Sequence, residues 1–226
     1  NTLAKVNDVI TLTMTASEAI QTPVVTFQSG GAAITDSSIT YNNTSGNTWT
    51  AAYTANSSDT NGPVSYSIAF TDLAGNTGIA VTSGSGSVTF DKTSPTMTIT
   101  ASEVSDGAIS NDTTLSLTFT SSEATSNFVQ SDITLGNGTL SNFNVVSSTV
   151  YTATFTPSSQ GACTIDVAAD TYTDAATNTN NVATQFNWTF DTVVPTLSSV
   201  SIASNNSTNT LAKVNDVITL TMTASE

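Results

Sequence analysis

The stretch NTLAKVNDVITLTMTASE at residues 1–18 returns letter for letter at residues 209–226. An identity of this length is not a coincidence. Because residue 209 repeats residue 1, it predicts a tandem array with a period of 208 residues, of which this chain is a window cut inside a unit at both ends. Such arrays usually provide length or valency, because each unit contacts mainly its neighbours.

The second half of the quoted stretch alternates apolar and polar residues. Ile10, Leu12 and Met14 are separated by threonines, a period of two that predicts a strand with one face on a core and one in water. Similar patterns, and β-branched runs between turn clusters, predict further strands near 23–28, 49–54, 64–70, 97–101, 115–119, 132–136, 151–155, 164–168, 186–190 and 197–203. The predicted turns include Asn42–Asn47 and Asn137-Gly138. No helix is predicted, so the fold class is all-β.

A weaker repeat lies inside the long one. The alternating strand at 7–18 matches 111–123, and Thr-Asp-Leu-Ala-Gly-Asn at 71–76 matches Thr-Asp-Ala-Ala-Thr-Asn at 173–178. Pro95 and Pro195 follow equivalent positions, which gives units of about 100 residues, the size of a seven-stranded sandwich. The predicted domains are 1–91, lacking its first strand; 95–191, complete; and 195–226, the first two strands of another unit.

Composition excludes several classes of function. The chain has 17 Asp and Glu, three Lys, no Arg and no His, for a net charge of −14. A nucleic-acid binder needs Lys and Arg to replace phosphate counterions, and a protein attracted to an anionic membrane needs them too. We therefore expect neither function. Without histidine there is no Ser-His-Asp or Cys-His constellation, so we do not expect an enzyme. The single Cys163 is expected to be a buried small hydrophobe, with an interchain bridge as the alternative.

These patterns together resemble bacterial immunoglobulin-like repeats. The features that carry the resemblance, each present at least twice, are Asp-x-x-x-Pro-Thr, then Asn-Asp with an alternating strand ending in Ser-Glu, an aromatic residue starting a strand, and Thr-Asp-x-Ala-x-Asn. The resemblance implies tandem immunoglobulin-like antiparallel β-sandwiches from a large secreted or cell-surface bacterial adhesin or biofilm protein. It also implies stalk units, often stiffened by Ca²⁺ at domain junctions. One departure is Thr177 in place of Gly75, which predicts a different loop shape.

In a sandwich of this kind, acidic residues of the chain would meet at the junctions. Asp91 ends one domain, while Glu123 follows the second strand of the next and Asp174 lies in its sixth-to-seventh loop, so the three should converge on an oxygen-rich Ca²⁺ site. Ordinary turn capping by these acids is the alternative. The predicted ligands are Asp91, Glu123, Asp174 and Asn178 at this junction, Glu18, Asp72 and Asn76 at the one before, and Asp191 and Glu226 at the one after.

The leading functional hypothesis is a structural repeat of a long extracellular fibre, acting as a spacer, tether or matrix filament, with neighbouring repeats as its partners. A second hypothesis is an adhesive module that binds glycans or another protein, which exposed aromatic residues would favour. A third is a filament in which copies of the chain pack side by side or exchange strands. No partner nucleic acid and no membrane insertion are expected within these residues.

Overall fold

The computed structural model of the chain describes residues 2–36 and 38–226. These residues form eighteen β-strands and one short 3₁₀ helix, Gln130–Asp132, which confirms the predicted all-β fold. The strands fall into three groups along the chain, and the sheets of the described residues pair strands only within a group. In the same part of the chain no helix has the length and apolar character needed to cross a membrane.

The first group forms two sheets around one core. Its strands are β1 Leu3–Ala4, β2 Val9–Thr15, β3 Val24–Ser29, β4 Ala32–Ala33, β5 Thr40–Ser45, β6 Thr48–Thr54, β7 Gly62–Ala69 and β8 Thr89–Phe90. One sheet has the order β1-β8-β7-β3-β4 and the other β2-β6-β5. Phe27 and Tyr53, from different sheets, have ring centroids 4.8 Å apart, as expected when two sheets pack face to face.

The second group is a sandwich of two four-stranded sheets. Its strands are β9 Met97–Ala101, β10 Ala108–Ser110, β11 Leu115–Ser121, β12 Ile133–Gly136, β13 Gly138–Val145, β14 Val150–Pro157, β15 Gly161–Val167 and β16 Phe186–Phe190. The sheet orders are β10-β16-β15-β12 and β13-β14-β11-β9. Phe155 of one sheet meets Trp188 of the other edge-on, with centroids 6.3 Å apart, so both sheets share one core.

The predicted strand register in the second sandwich is confirmed. Leu115, Leu117 and Phe119 of β11 are fully buried, whereas Ser116 between them is exposed. Burial of three large apolar side chains on one face of a strand, with small polar residues on the other, fixes which face of the sheet meets the core.

The first strand of the second sandwich is divided between its two sheets. β9 pairs antiparallel with β11, whereas β10 pairs parallel with β16. Gly107, at φ +79, lies directly before β10 and accommodates the change of sheet. In the first sandwich β1 pairs parallel with β8, so it occupies the position that β10 has in the second sandwich. The prediction that residues 1–91 lack their first strand is therefore wrong for the second half of that strand, which is β1.

The third group is a two-stranded antiparallel ribbon of β17 Leu197–Ser204 and β18 Ile218–Ala224. β18 belongs to the second copy of the repeated stretch, and its preceding turn reproduces the first copy. Asn7 and Asn215 have φ +74 and +75. The amide of Lys5 donates to Asp8 Oδ2 at 2.9 Å, and that of Lys213 to Asp216 Oδ2 at 2.8 Å.

Two polar segments for which the sequence predicts turns are partly strand. The sequence predicts a turn at 42–47, but β5 extends to Ser45, and only the two-residue connection before β6 turns, with Gly46 at φ +56. Similarly, Gly138 begins β13. Both are edge strands with mostly exposed residues, so they lack the apolar alternation on which the sequence prediction depends.

Candidate metal centre

A six-residue loop presents Asp174 at one end of the second sandwich. The amide of Asp174 donates to the carbonyl of Asn178 at 3.1 Å. In return, the backbone amide of Asn178 donates to Asp174 Oδ1 at 2.8 Å, and its side-chain Nδ2 donates to Asp174 Oδ2 at 2.8 Å. Because both carboxylate oxygens are held by one neighbouring residue, the direction of the Asp174 side chain is fixed before any ligand arrives.

The equivalent loop of the first sandwich has the same shape. Asp72 accepts the Asn76 amide at 2.7 Å and its Nδ2 at 2.7 Å. The expectation that Thr177 gives a different loop from Gly75 is wrong, because both adopt left-handed backbone, at φ +72 and +97. Thr177 therefore holds a conformation that L-residues disfavour.

Asp91 reaches this loop from the first sandwich. It directly follows β8, and its amide donates to the carbonyl of Ala4 at 2.8 Å. Its Oδ1 accepts hydrogen bonds from the Thr93 amide at 3.0 Å and from Asn61 Nδ2 at 3.2 Å. The last strand of one sandwich and the connection to the next thus position the carboxylate together.

Glu123 arrives from the end of β11, two residues beyond the strand. The residue before it, Ser122, exchanges two hydrogen bonds with Thr96, both at 2.9 Å. These bonds fasten the start of the second sandwich beside Glu123. The carboxyl group of Glu123 is then directed into the junction and is only partly accessible to solvent.

Asp91, Glu123 and Asp174 each place a carboxylate oxygen within 4.8 Å of the others. Two oxygens on opposite sides of a Ca²⁺ ion lie about 4.6–5.2 Å apart, given ligand distances of about 2.3–2.6 Å. The spacing therefore suits one shared ion of that size. Asp174 is buried, while the other two are partly buried, so part of the hydration shell of an ion could be replaced by protein oxygens.

The electrostatics of the cluster are those of crowded carboxylates. Glu123 Oε2 is buried, and no donor among the described residues reaches it. Burial, together with the negative charges of Asp91 and Asp174, raises the pKa of Glu123 to about 7. A bound cation would reverse both effects, because it supplies the missing partner and favours the charged carboxylate.

Asn178 enters the junction as a hydrogen-bond donor. Its Nδ2 donates to the main-chain carbonyl of Asp91 at 3.1 Å, besides its bond to Asp174. Lys5 makes a second bond between the sandwiches, from its Nζ to the carbonyl of Thr177 at 2.8 Å. Among the described residues, two direct hydrogen bonds therefore join the units at the position of the acidic cluster.

The remaining predicted ligands form partial sets. Asp72 and Asn76 build the loop described above, and Glu18 is exposed at the end of its strand segment. On the far side, Asp191 Oδ1 accepts the Val193 amide at 2.9 Å, and Glu226 is exposed. Each of these two sets has only two carboxylates. None of them belongs to the three-carboxylate group found in the described part of the chain.

Sequence reasoning missed the residues that orient the cluster. Asn61 donates a hydrogen bond to Asp91 from 30 positions away in the sequence, so no local spacing predicts this contact. The internal repeat carries the available signal. Gln160 holds the same place in the second sandwich, where its Nε2 lies 3.5 Å from Asp191 Oδ1, and both residues directly precede a glycine with positive φ, Gly62 and Gly161.

Comparison with known families identifies the second sandwich. Residues 91–190 match the family described as bacterial Ig-like domain. This segment of the chain belongs to that family. It contains the whole second sandwich together with Asp91, the carboxylate supplied by the first. No curated protein sequence matches the chain.

Several solved structures are similar to the chain at low sequence identity. The D00-D0 domain of intimin is 13% identical, with a TM-score of 0.35, and the match covers 83% of this chain and 96% of that one. InvD of Yersinia pseudotuberculosis is 19% identical, with a TM-score of 0.38 and coverage of 92% and 63%. The I9–I11 tandem of titin is 11% identical, with a TM-score of 0.39 and coverage of 88% and 65%. The chain therefore spans less than two thirds of the InvD and titin chains.

Proposed function

We propose that the chain is a structural segment of a long bacterial fibre or adhesin stalk, secreted or held at the cell surface. Its role is mechanical: successive sandwiches act as spacers or tethers, and neighbouring repeats of the same protein are their partners. The chain repeats an 18-residue stretch and arranges β-sandwiches in series. This is the organisation of quasi-one-dimensional repeat proteins, in which length is the functional property.

We further propose that Ca²⁺ bound by Asp91, Glu123 and Asp174 stiffens the junction. The observation that carries this proposal is the convergence of three carboxylates from both sandwiches within 4.8 Å. In a chain with only three cationic side chains, a divalent ion is the most effective way to offset their mutual repulsion. Oxygen-only ligation and partial burial favour Ca²⁺ over zinc or copper, which prefer nitrogen and sulfur ligands.

The experiment is calorimetric titration of the chain with Ca²⁺, together with thermal unfolding in Ca²⁺ and in chelator. We expect one dominant site, and its occupation should raise the unfolding midpoint. At a hundredfold excess of free Ca²⁺ over the dissociation constant, the free energy of unfolding should increase by about 2.7 kcal/mol. Asp174→Asn should abolish binding at that site.

Asp72→Asn is the matched control. It removes the corresponding carboxylate from the equivalent hydrogen-bonded loop of the first sandwich. At that junction this chain supplies only two of the acids. The control should therefore retain the binding and the calcium-dependent shift in midpoint. Equal loss in both variants would mean that these aspartates only hold their loops, and an unfolding midpoint insensitive to chelator would overturn the calcium proposal.

The alternative of an adhesive module gains no support from the surface. The large apolar side chains exposed in the described residues are all aliphatic, whereas stacking on sugars requires accessible aromatic rings. Trp188 is buried in the core, and Trp49 is half-buried. We therefore propose no glycan site.

A further inference from the structure

The connection between the two sandwiches is fixed to the first sandwich as far as Thr93. Asn61 Oδ1 accepts the amide of Lys92 at 3.0 Å. Asn61 Nδ2 donates to Asp91 Oδ1 at 3.2 Å and to Thr93 Oγ1 at 2.6 Å. The Thr93 amide also donates to Asp91 Oδ1 at 3.0 Å. One asparagine side chain therefore holds three consecutive residues of the connection against the first sandwich.

The side chain of Lys92 adds a second attachment to the same sandwich. Its Nζ donates to the carbonyls of Ser57 and Asp59 at 2.8 and 2.7 Å. The loop that carries these carbonyls is itself anchored, because the Asp59 carboxylate is buried and accepts the amides of Thr35 and Asn56, both at 2.8 Å. Residues 91–93 thus move with the first sandwich and do not form a free linker.

From Pro95 onward the backbone is fixed to the second sandwich. Pro95 is buried, and its carbonyl accepts the amide of Asn181 at 2.9 Å. Thr96 exchanges two hydrogen bonds with Ser122, both at 2.9 Å. Because β9 begins at the next residue, no flexible segment follows the proline.

Ser94 is left between these two fixed segments. In the described part of the chain, no hydrogen bond reaches its backbone or its side chain. Its conformation is nevertheless limited, because a residue before proline is largely restricted to extended backbone, and the ring of Pro95 fixes the φ angle that follows. If the attachments on both sides persist, the backbone that joins the sandwiches can rotate only at Ser94, and only over a narrow range.

Contacts across the junction hold Ser94 at its present setting. Asn178 Nδ2 donates to the carbonyl of Asp91 at 3.1 Å, and Lys5 Nζ donates to the carbonyl of Thr177 at 2.8 Å. The same setting brings the Asp91 carboxylate within 4.8 Å of the two carboxylates of the second sandwich. Rotation at Ser94 would break both hydrogen bonds and separate the three carboxylates.

We propose that Ser94 is a single-residue hinge whose closed setting assembles the calcium site. Because bending carries Asp91 away from the other two carboxylates, the apparent affinity for the ion depends on the fraction of molecules in the closed setting. The coupling is reciprocal, so a bound ion holds the hinge closed. The hinge itself stands on the hydrogen bonds described above, whereas its coupling to the ion rests on the calcium function proposed for this junction.

The first test measures the hinge without calcium. Spin labels at Thr26→Cys and Thr156→Cys, which are exposed on different sandwiches, report the distance between the sandwiches in chelator, while the native Cys163 is buried. Ser94→Gly should broaden the distance distribution, because glycine enlarges the accessible backbone region. Val194→Gly is the matched control. It places the same residue before the second junction's proline and should leave the distribution unchanged.

Hydrogen exchange locates the hinge independently. The amides of Lys92 and Thr93 are hydrogen-bonded to side chains and should exchange more slowly than the amide of Ser94. Asn61→Ala removes the side chain that holds residues 91–93, so it should speed exchange at Lys92 and broaden the label distances as Ser94→Gly does. Slow exchange at Ser94 would place the bending elsewhere and overturn the hinge.

The second test couples the hinge to the ion. Ser94→Gly alters none of the proposed ligands, yet calorimetric titration should show its dissociation constant for Ca²⁺ rising about threefold to tenfold, since the closed fraction falls. Ser94→Val introduces the residue found at position 194. Valine favours extended backbone, so this variant should keep the wild-type affinity. Val194→Gly should keep it too.

The outcomes separate the hinge from the calcium function. A label distribution that Ser94→Gly leaves unchanged, or that Val194→Gly broadens equally, would overturn the hinge. If Ser94→Gly broadens the distances but binds Ca²⁺ as tightly as wild type, the coupling is wrong. A wild-type chain that binds no Ca²⁺ would overturn the calcium function and the coupling with it, whereas the broadening in chelator would still establish the hinge.

Discussion

At the scale of single residues, the junction combines charge and backbone strain. Glu123 has no hydrogen-bond donor for its buried oxygen among the described residues, and Thr177 holds a left-handed backbone conformation. Neither feature stabilises the sandwich on its own, since an unpaired buried carboxylate and a strained β-branched residue both cost free energy. Such features persist when the surrounding structure enforces them, and they often mark functional positions.

The raised pKa of Glu123 predicts a pH dependence of stability without calcium. The folded-state pKa of about 7 lies above the ordinary 4.5, so the folded state binds more protons between these values. The stabilising contribution of the protonated carboxyl is complete below its ordinary pKa and is lost as pH rises toward 7. In chelator, the unfolding midpoint should therefore fall between about pH 5 and pH 8.

Glu123→Gln is the control, and it should flatten this trend, as should saturating Ca²⁺, which favours the charged carboxylate. Hydrogen bonds lower the pKa values of Asp36, Asp72 and Asp216, so those groups titrate below the window. If Glu123→Gln leaves the slope unchanged, another group causes the pH dependence.

The left-handed backbone of Thr177 predicts that Thr177→Gly stabilises the second sandwich. Releasing a strain of about 1–3 kcal/mol exceeds the added flexibility of glycine in the unfolded chain, so the net gain should be about 1 kcal/mol. Gly75→Ala is the converse change and should lose about 1 kcal/mol in the first sandwich. A Cβ at Gly75 would meet no atom within 4 Å, so this loss reports backbone strain alone. Chemical denaturation measures both, and a destabilised Thr177→Gly would contradict the prediction.

At the scale of elements, apolar alternation decided which strands the sequence could predict. The prediction of 97–101 matches β9, and that of 115–119 lies within β11, because each strand has large apolar side chains on one face and Ser or Thr on the other. The edge strands β5 and β13 were missed, since exposed Asn, Ser and Thr occupy positions that pack against nothing. Backbone hydrogen bonds to a neighbouring strand define these elements, and a sequence read segment by segment does not show that neighbour.

The same reasoning explains what was foreseen at the candidate site. The convergence of Asp91, Glu123 and Asp174 follows from strand order in an immunoglobulin-like sandwich, and the structure brings them together. Their ability to hold Ca²⁺ stays a prediction. The contributions of Asn61 and Lys5 depend on loop geometry between residues 30 to 172 positions apart, which no local pattern encodes.

At the scale of the whole molecule, the junction predicts how stiff the chain is. Without calcium, the hydrogen bonds from Lys5 to Thr177 and from Asn178 to Asp91 hold the sandwiches together, and both involve partly exposed groups that exchange with water. A shared ion adds three ligand bonds across the same junction. We therefore expect small-angle scattering to give a narrow distance distribution in Ca²⁺ and a broader one in chelator, at concentrations where the chain is monomeric.

Two variants separate the contributions to this stiffness. Lys5→Met should broaden the distribution in chelator but not in Ca²⁺, because the ion replaces the lost bond. Asp174→Asn should give the broad distribution in both conditions, whereas Asp72→Asn should behave as wild type. If wild type is equally narrow with and without calcium, the short proline-containing connection at 92–95 and the direct hydrogen bonds suffice for rigidity, and the acidic cluster serves only the loops that carry it.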